Sequence, residues 1–247
     1  MRTVQTVQAV QEVQAVQTEH PPLDLLLECK GRACITVCLP ARNEDATIGP
    51  LVRQVRRDLL DEVGLVDELI VMDHDSTDRT ARIAADEGAT VVSAGSVLDD
   101  FGPVLGKGDV LWRSLEATSG DIIVWLDADL ASFDTTYVTR LVAPLLLSGN
   151  IALVKGTYQR ALHGDATGGG RVTELAARPM LRLLHPRLAH IRQPLAGEYA
   201  IRREIAESIP FEVDYGVEVG LLIDIAERAG VDAIAQTDLG TRIHRNR

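Results

Sequence analysis

Apolar residues occur along the chain in two alternating patterns. Short unbroken runs predict strands buried in a sheet, whereas apolar positions spaced three or four residues apart predict helices with one buried face. The predicted strands are 33–40, 65–72, 89–93, the central strand 122–126, 151–158, a strand or turn at 195–201, and 233–239. The predicted helices are 23–30, one that begins near residue 48, 80–87, 109–118, 136–147, 173–184 and 217–229. This alternation predicts an α/β fold with a doubly wound, mostly parallel sheet and helices on both faces.

The first part of the chain differs from the rest in its pattern. Valine recurs at every third position from Val4 to Val16, with glutamine between. A period of three drifts around a helix and leaves no apolar stripe. We therefore interpret residues 1–30 as a low-complexity N-terminal extension that ends in a short helix, and residues 31–247 as one domain.

Composition narrows the classes of function. The 247 residues are 46% apolar with a net charge of -11, which allows a large core and argues against a nucleic-acid binder held by phosphate contacts. Cys29, Cys34 and Cys38 form an odd, clustered set that predicts reduced thiols of a cytoplasmic protein, not disulfides. No apolar run approaches the ~20 residues that span a bilayer, so we expect no membrane anchor.

Acidic residues follow three of the predicted strands. Asp127 and Asp129 come directly after the central strand, Glu44 follows the first strand, and Asp73 and Asp75 follow the second. Strand ends of a doubly wound sheet meet along one edge, where such folds bind ligands. Neighbouring carboxylates repel unless a cation or donors lie opposite, so the pattern predicts a nucleotide and metal site. A solvated turn and helix capping are the alternatives.

The glycine patterns of other nucleotide folds are absent. No G-x-G-x-x-G follows the first strand, and G-P-V-L-G-K-G lacks the spacing of a phosphate-binding P-loop. Lys107 in that segment is either a phosphate contact or an exposed loop lysine.

Several motifs in chain order resemble known enzymes. Four segments resemble the nucleotide-sugar half of GT-A fold glycosyltransferases: L-P-A-R-N-E, V-M-D-H-D-S-T-D, G-K-G-D-V-L-W and W-L-D-A-D. The glucosyl-3-phosphoglycerate synthase family is similar to four later ones, T-G-G-G-R-V-T-E-L-A-A-R-P, Q-P-L-A-G-E-Y-A, Y-G-V-E-V-G-L-L-I-D and L-G-T-R-I-H-R-N-R. The resemblance covers about residues 35–247. It implies a GT-A fold with a nucleotide-binding half at 31–130 and an acceptor-binding half at 131–247, without the C-terminal extension of that family.

The implied reaction is retaining glycosyl transfer. Glucose would move from UDP-glucose, or another nucleoside-diphosphate glucose, to 3-phosphoglycerate, with Mg²⁺ or Mn²⁺ as the cofactor. The implied partners are therefore a nucleotide-sugar donor and a small phosphorylated acid, in a homodimer. A mannosyl-type transferase with a different acceptor and a catalytically weak nucleotide-sugar-binding protein remain alternatives.

The resemblance also implies groups of site residues. Donor contacts are expected from Pro40, Ala41, Arg42, Glu44, Asp73, His74, Lys107, Asp127, Ala128 and Asp129. Acceptor contacts are expected from Gly170, Arg171, Val172, Thr173, Arg242, Asn246 and Arg247. The metal ligands would be Asp129 and His244. The catalytic centre would comprise Glu218, Tyr215 and the backbone carbonyl of Leu195.

Chemistry supports this assignment. A departing diphosphate gains negative charge, which a divalent cation on a carboxylate can neutralise. A glycine-rich segment with Arg171 and Thr173 before a helix offers backbone N–H groups, a hydroxyl and a guanidinium to an anionic acceptor.

Overall fold

A computed structural model describes residues 21–160 and 171–242 of the chain. Its strands are β1 Ile35–Ala41, β2 Glu68–Asp73, β3 Thr90–Ser93, β4 Ile122–Trp125, β5 Leu153–Arg160, β6 Tyr199–Arg202 and β7 Ile234–Arg242. They form one sheet in the order β3-β2-β1-β4-β6-β5-β7. Strand β6 runs antiparallel to β4 and β5, and the other pairs are parallel. This confirms the predicted mostly parallel sheet; the division of the domain at residue 130 stays a prediction.

The helices cover the sheet on both faces. They are α1 Leu23–Lys30, α2 Ile48–Gln54, α3 Thr80–Asp86, α4 Gly106–Ala117, α5 Thr136–Leu147, α6 Arg178–Leu184, the short α7 Arg203–Ala206 and α8 Val217–Arg228. A π-helical segment, Val55–Glu62, continues α2, and another, Thr173–Ala177, precedes α6. Among the described residues, no helix has both the length and the apolar composition needed to cross a membrane.

The central strand β4 explains how the core is divided. All four of its side chains are at least 98% buried, and they alternate between two apolar clusters. Ile122 and Val124 pack in the cluster that α1, α2 and α5 cover. Ile123 and Trp125 pack in the cluster that α4 and α8 cover. The unbroken apolar run of the sequence is therefore a strand buried on both faces, as such runs are in parallel sheets.

Two element boundaries matter for the site. Helix α4 begins at Gly106, three residues before its predicted start at 109, so Lys107 lies in its first turn and not in a loop. The segment before α6 is already helical at Arg171 and Val172, ahead of its predicted start at 173. Both segments carry residues that the sequence assigned to ligand binding.

Candidate active site

A pocket of about 440 Å³ lies at the carboxyl edge of β1 and β4. That volume is within the range of small-molecule sites. The lining residues are Pro40, Ala41, Arg42, Glu44, His74, Gly106, Lys107, Val110, Asp127, Ala128, Asp129, Asp214 and Tyr215. They include nine of the ten residues predicted to contact the donor. The tenth, Asp73, is described by the structure but does not line the pocket.

Asp73 instead stabilises the turn after β2. Its Oδ2 accepts the backbone N–H of Ser76 at 3.2 Å, and its Oδ1 is buried without a hydrogen-bond partner among the described residues. The next residue, His74, donates its backbone N–H to the carbonyl of Ala41 at 2.9 Å. This bond joins the ends of β1 and β2, so that Ala41 at the end of β1 and His74, directly after β2, line the same pocket.

Lys107 lies at the base of the pocket between two carboxylates. Its Nζ donates to Asp127 Oδ1 at 2.7 Å and lies 2.8 Å from Glu218 Oε1. Burial alone would lower the pKa of this ammonium, but Asp127 and Glu218 raise the pKa well above its ordinary value. Lys107 therefore stays charged and holds the end of β4 and the start of α8 together.

Two glycines allow α4 and the segment before α8 to approach closely. A Cβ on Gly108 would lie 1.8 Å from the carbonyl oxygen of Glu212, and a Cβ on Gly106 would lie 2.1 Å from Asp214 Oδ1. Neither contact is possible for a larger residue. This close approach brings Glu218, in the first turn of α8, within reach of Lys107.

On its other side, the Asp127 carboxylate packs against the backbone at Gly197. A Cβ on Gly197 would lie 2.2 Å from Asp127 Oδ1 and 2.4 Å from Oδ2. Asp127 is thus bounded by an ammonium and by the chain that leads into β6. Sequence reasoning missed Gly197, although a glycine beside a predicted strand is a known sign of close backbone approach.

The three predicted catalytic residues differ in their relation to this carboxylate network. Glu218 is buried, and Tyr215 is 80% exposed at the rim of the pocket. Leu195 occupies a turn that the N–H of Ala196 closes on the carbonyl of Gln193 at 3.1 Å. It lies two residues before Gly197, whose backbone packs against the Asp127 carboxylate. Of the three, Tyr215 lines the pocket, and Glu218 reaches it through its ion pair with Lys107. The catalytic assignment stays a prediction.

The acidic lining suits a hard cation. The acidic residues Glu44, Asp127, Asp129 and Asp214 line the pocket. No group of three or more His, Cys, Asp and Glu side chains arranged for a metal occurs in the described ranges, and the predicted ligand His244 lies outside them. Mg²⁺ is often bound by one or two carboxylates plus substrate phosphates. The donor set therefore fits a cation that completes its shell with a bound diphosphate.

The predicted acceptor residues are less well defined. Thr173 is buried, and Val172 is 67% exposed. Neither they nor Arg171 line the pocket, while Arg242 is the last residue of β7. Gly170, Asn246 and Arg247 lie outside the described residues. The acceptor assignment stays a prediction.

Sequence comparison defines the class of protein first. Residues 36–208 match the profile of glycosyl transferase family 2, and the chain belongs to that family. A relative then narrows the class: the glucosyl-3-phosphoglycerate synthase of Mycolicibacterium smegmatis is 51% identical over 222 residues, which cover 88% of this chain and 72% of that protein. The predicted resemblance is confirmed.

Solved structures agree with this classification. A glucosyl-3-phosphoglycerate synthase from Mycobacterium tuberculosis, in complex with Mn²⁺, UDP-glucose and phosphoglyceric acid, matches with a TM-score of 0.84 and 50% identity over 92% of this chain and 77% of that one. A complex of the same enzyme with Mg²⁺ and UDP also has a TM-score of 0.84, at 50% identity over 92% of this chain and 76% of that one. The GT-A type of fold is thereby confirmed.

Proposed function

We propose that this chain is a metal-dependent, retaining glycosyltransferase that moves glucose from UDP-glucose to 3-phosphoglycerate and so forms glucosyl-3-phosphoglycerate. One observation carries the proposal. A buried ammonium, Lys107, joins Asp127 and Glu218 beneath a pocket lined by nine of the ten predicted donor residues. The relatives that share half of the sequence carry the same reaction in their names.

The donor would bind with its nucleoside against the ends of β1 and β2. Pro40, Ala41, Arg42 and His74 line that side of the pocket. Asp129 on the opposite side would hold Mg²⁺ or Mn²⁺, together with His244. A cation held there would supply positive charge to offset the negative charge that develops on a departing diphosphate.

The sugar would lie near Asp127 and Glu218. Carboxylates accept hydrogen bonds from sugar hydroxyls, and Lys107 holds both acids in fixed positions. Tyr215 lies at the rim, where it can cover a bound ligand. Both acids are paired with Lys107, which disfavours either of them as a covalent nucleophile. We therefore favour attack by the acceptor on the same face of the sugar from which the diphosphate leaves, near the Leu195 carbonyl.

The acceptor carries a phosphate and a carboxylate, and arginine forks bind both well. Arg171 with Gly170, Val172 and Thr173 would supply one contact region. The residues Arg242, Asn246 and Arg247 would supply the other. A local basic pocket of this kind lets an acidic protein bind an acidic substrate.

We also propose that the chain forms a homodimer. The segment from Arg171 to α6 exposes large apolar side chains, namely Val172, Leu175, Met180, Leu183 and Leu184. A contiguous apolar patch marks an interaction site, and a second copy would cover it. Leu183→Glu should give a monomer by light scattering, whereas an unchanged mass would contradict this interface. A cytoplasmic location fits the three free thiols.

A transfer assay tests the reaction. The chain is incubated with UDP-glucose or GDP-mannose, each with 3-phosphoglycerate, glycerate or glycerol 3-phosphate, and with Mg²⁺ or a chelator. We expect the mass of glucosyl-3-phosphoglycerate only with glucose donor and metal, and its loss in Glu218→Gln, which keeps the side-chain shape. A mannosylated product, a different preferred acceptor, or donor binding without turnover would contradict the proposal.

A further inference from the structure

A second buried ammonium lies beside the pocket. Lys155 on β5 is 1% exposed. Its Nζ donates to the carbonyl of Ala196 at 2.5 Å and lies 4.3 Å from the ring centroid of Tyr199. A buried charge costs free energy unless hydrogen bonds and opposite charges compensate it. A lysine with only a structural role would more cheaply be an apolar residue of the same size.

The carbonyl that Lys155 binds belongs to the segment that adjoins Asp127. We name residues 195–198 the pre-β6 segment. Gly156, next to Lys155, donates its backbone N–H to the carbonyl of Glu198 at 2.8 Å. Strand β5 thus holds the segment at two carbonyls, two residues apart. Between them lies Gly197, which rests against the carboxylate of Asp127.

The same contacts fix the peptide groups on both sides of Ala196. The N–H of Ala196 closes the turn on Gln193, which orients the peptide that carries the Leu195 carbonyl. The carbonyl of Ala196 accepts from Lys155, which orients the next peptide. With both fixed, the direction of the Leu195 carbonyl is set as well.

Charges around Lys155 connect it to the same network. Burial, together with the nearby Lys107 ammonium, lowers the pKa of Lys155 to about 8, although Glu218, Glu198 and Asp127 act in the opposite direction. Lys155 therefore interacts electrostatically with the charged residues of the site, although it does not itself line the pocket.

The geometry points to Lys155 as a positioning residue for glycosyl transfer: it holds the pre-β6 segment against Asp127, so that Leu195 and Asp127 keep their places beside the donor sugar. This inference rests on the proposed function. Among the described residues, the hydrogen bond of Lys155 goes to this backbone segment and not to a residue predicted to bind substrate. A misplacement of about 1 Å near a reacting centre can cost roughly a hundredfold in rate.

The test compares kcat and KM in Lys155→Met, which keeps the side-chain length but removes the donor and the charge. We expect kcat to fall at least tenfold while KM for UDP-glucose and for 3-phosphoglycerate changes less than threefold. Lys155→Arg, which restores a charged donor, should recover part of kcat. If Lys155→Met does not fold, Lys155→Gln replaces it, because its uncharged side chain is shorter and should also lower kcat.

A matched control separates positioning from stability. Arg202 on β6 is also a cation that donates to backbone carbonyls, here those of Ile151, Leu145 and Ser148, at the opposite end of the strand. Arg202→Met should lower the melting temperature but retain kcat. Wild-type kcat in Lys155→Met or Lys155→Gln, or a loss of kcat matched by Arg202→Met, would overturn the inference. Absence of transfer by the unaltered chain would instead refute the proposed function.

Discussion

Removal of the Lys107 ammonium is the sharpest perturbation of the site. Lys107→Met keeps the length and apolar stem of the side chain but removes the ammonium that lies between Asp127 and Glu218. The three side chains are between 5% and 24% exposed, so solvent screens them only partly. Loss of one partner from a buried ion pair costs about 3–5 kcal/mol. Because one edge of the cluster faces the pocket, we expect Lys107→Met to lower the free energy of unfolding by about 3 kcal/mol, at the lower end of this range.

The size of the effect should depend on pH. The raised pKa of Lys107 keeps it charged from pH 5 to pH 8, so its stabilising contribution is fully present in the wild type over this range and is lost only above its ordinary value. In Lys107→Met, protonation of one carboxylate relieves the repulsion at low pH. The stability loss should therefore be smaller at pH 5 than at pH 8.

Thermal and urea unfolding at both pH values measure this loss. For a chain of this size, about 3 kcal/mol corresponds to a fall in melting temperature of roughly 6–12 °C. Lys30→Met is the matched control, because Lys30 pairs with Asp67 at 2.8 Å but that acid is 39% exposed. Its cost should be about 1 kcal/mol or less. A loss below that value for Lys107→Met at pH 8, or an equal loss at both pH values, would refute the electrostatic reasoning.

Four further changes have defined outcomes. Arg171→Ala should raise KM for 3-phosphoglycerate at least about tenfold with little change in donor Kd, since a charge-assisted bond contributes ~1.5–3 kcal/mol; calorimetry that shows only weaker donor binding would contradict this. Asp129→Ala, or a chelator, should abolish transfer, and undiminished product would exclude the metal role. Gly197→Ala should displace Asp127 and lower kcat, and an unchanged turnover rate would contradict this. Relative to Lys155→Met, wild-type stability should rise by up to about 3 kcal/mol between pH 8 and 10.5, because only the unfolded Lys155 then holds its proton; a flat difference would contradict its lowered pKa.

Much of the architecture could be predicted because it depends on local pattern. The apolar run of β4 has one stable solution, burial on both faces, and the acids that follow it must then lie at the ligand edge. The strands and helices were accordingly predicted correctly in type. The family resemblance, and not the apolar pattern, named the ten expected donor residues, nine of which line one pocket.

Contacts between distant segments could not be predicted in this way. Gly106 and Gly108 indicated a loop, but both lie in the first turn of α4, where Asp214 and Glu212 leave no room for a side chain. Lys155 within a strand would ordinarily face solvent, yet the packing of β5 against β6 buries it. Sequence patterns report the preferences of a residue and its neighbours along the chain, whereas the conformation and burial of these residues depend on tertiary contacts.

An NMR time course tests the central claim most directly. The chain is mixed with UDP-glucose, 3-phosphoglycerate and Mg²⁺, and the anomeric proton signals are followed. Retaining transfer predicts that the donor signal is replaced by that of an α-linked glucosyl-3-phosphoglycerate, in step with release of UDP. Free glucose as the only sugar product, a β-linked product, or a donor signal that persists at high enzyme concentration would contradict the account.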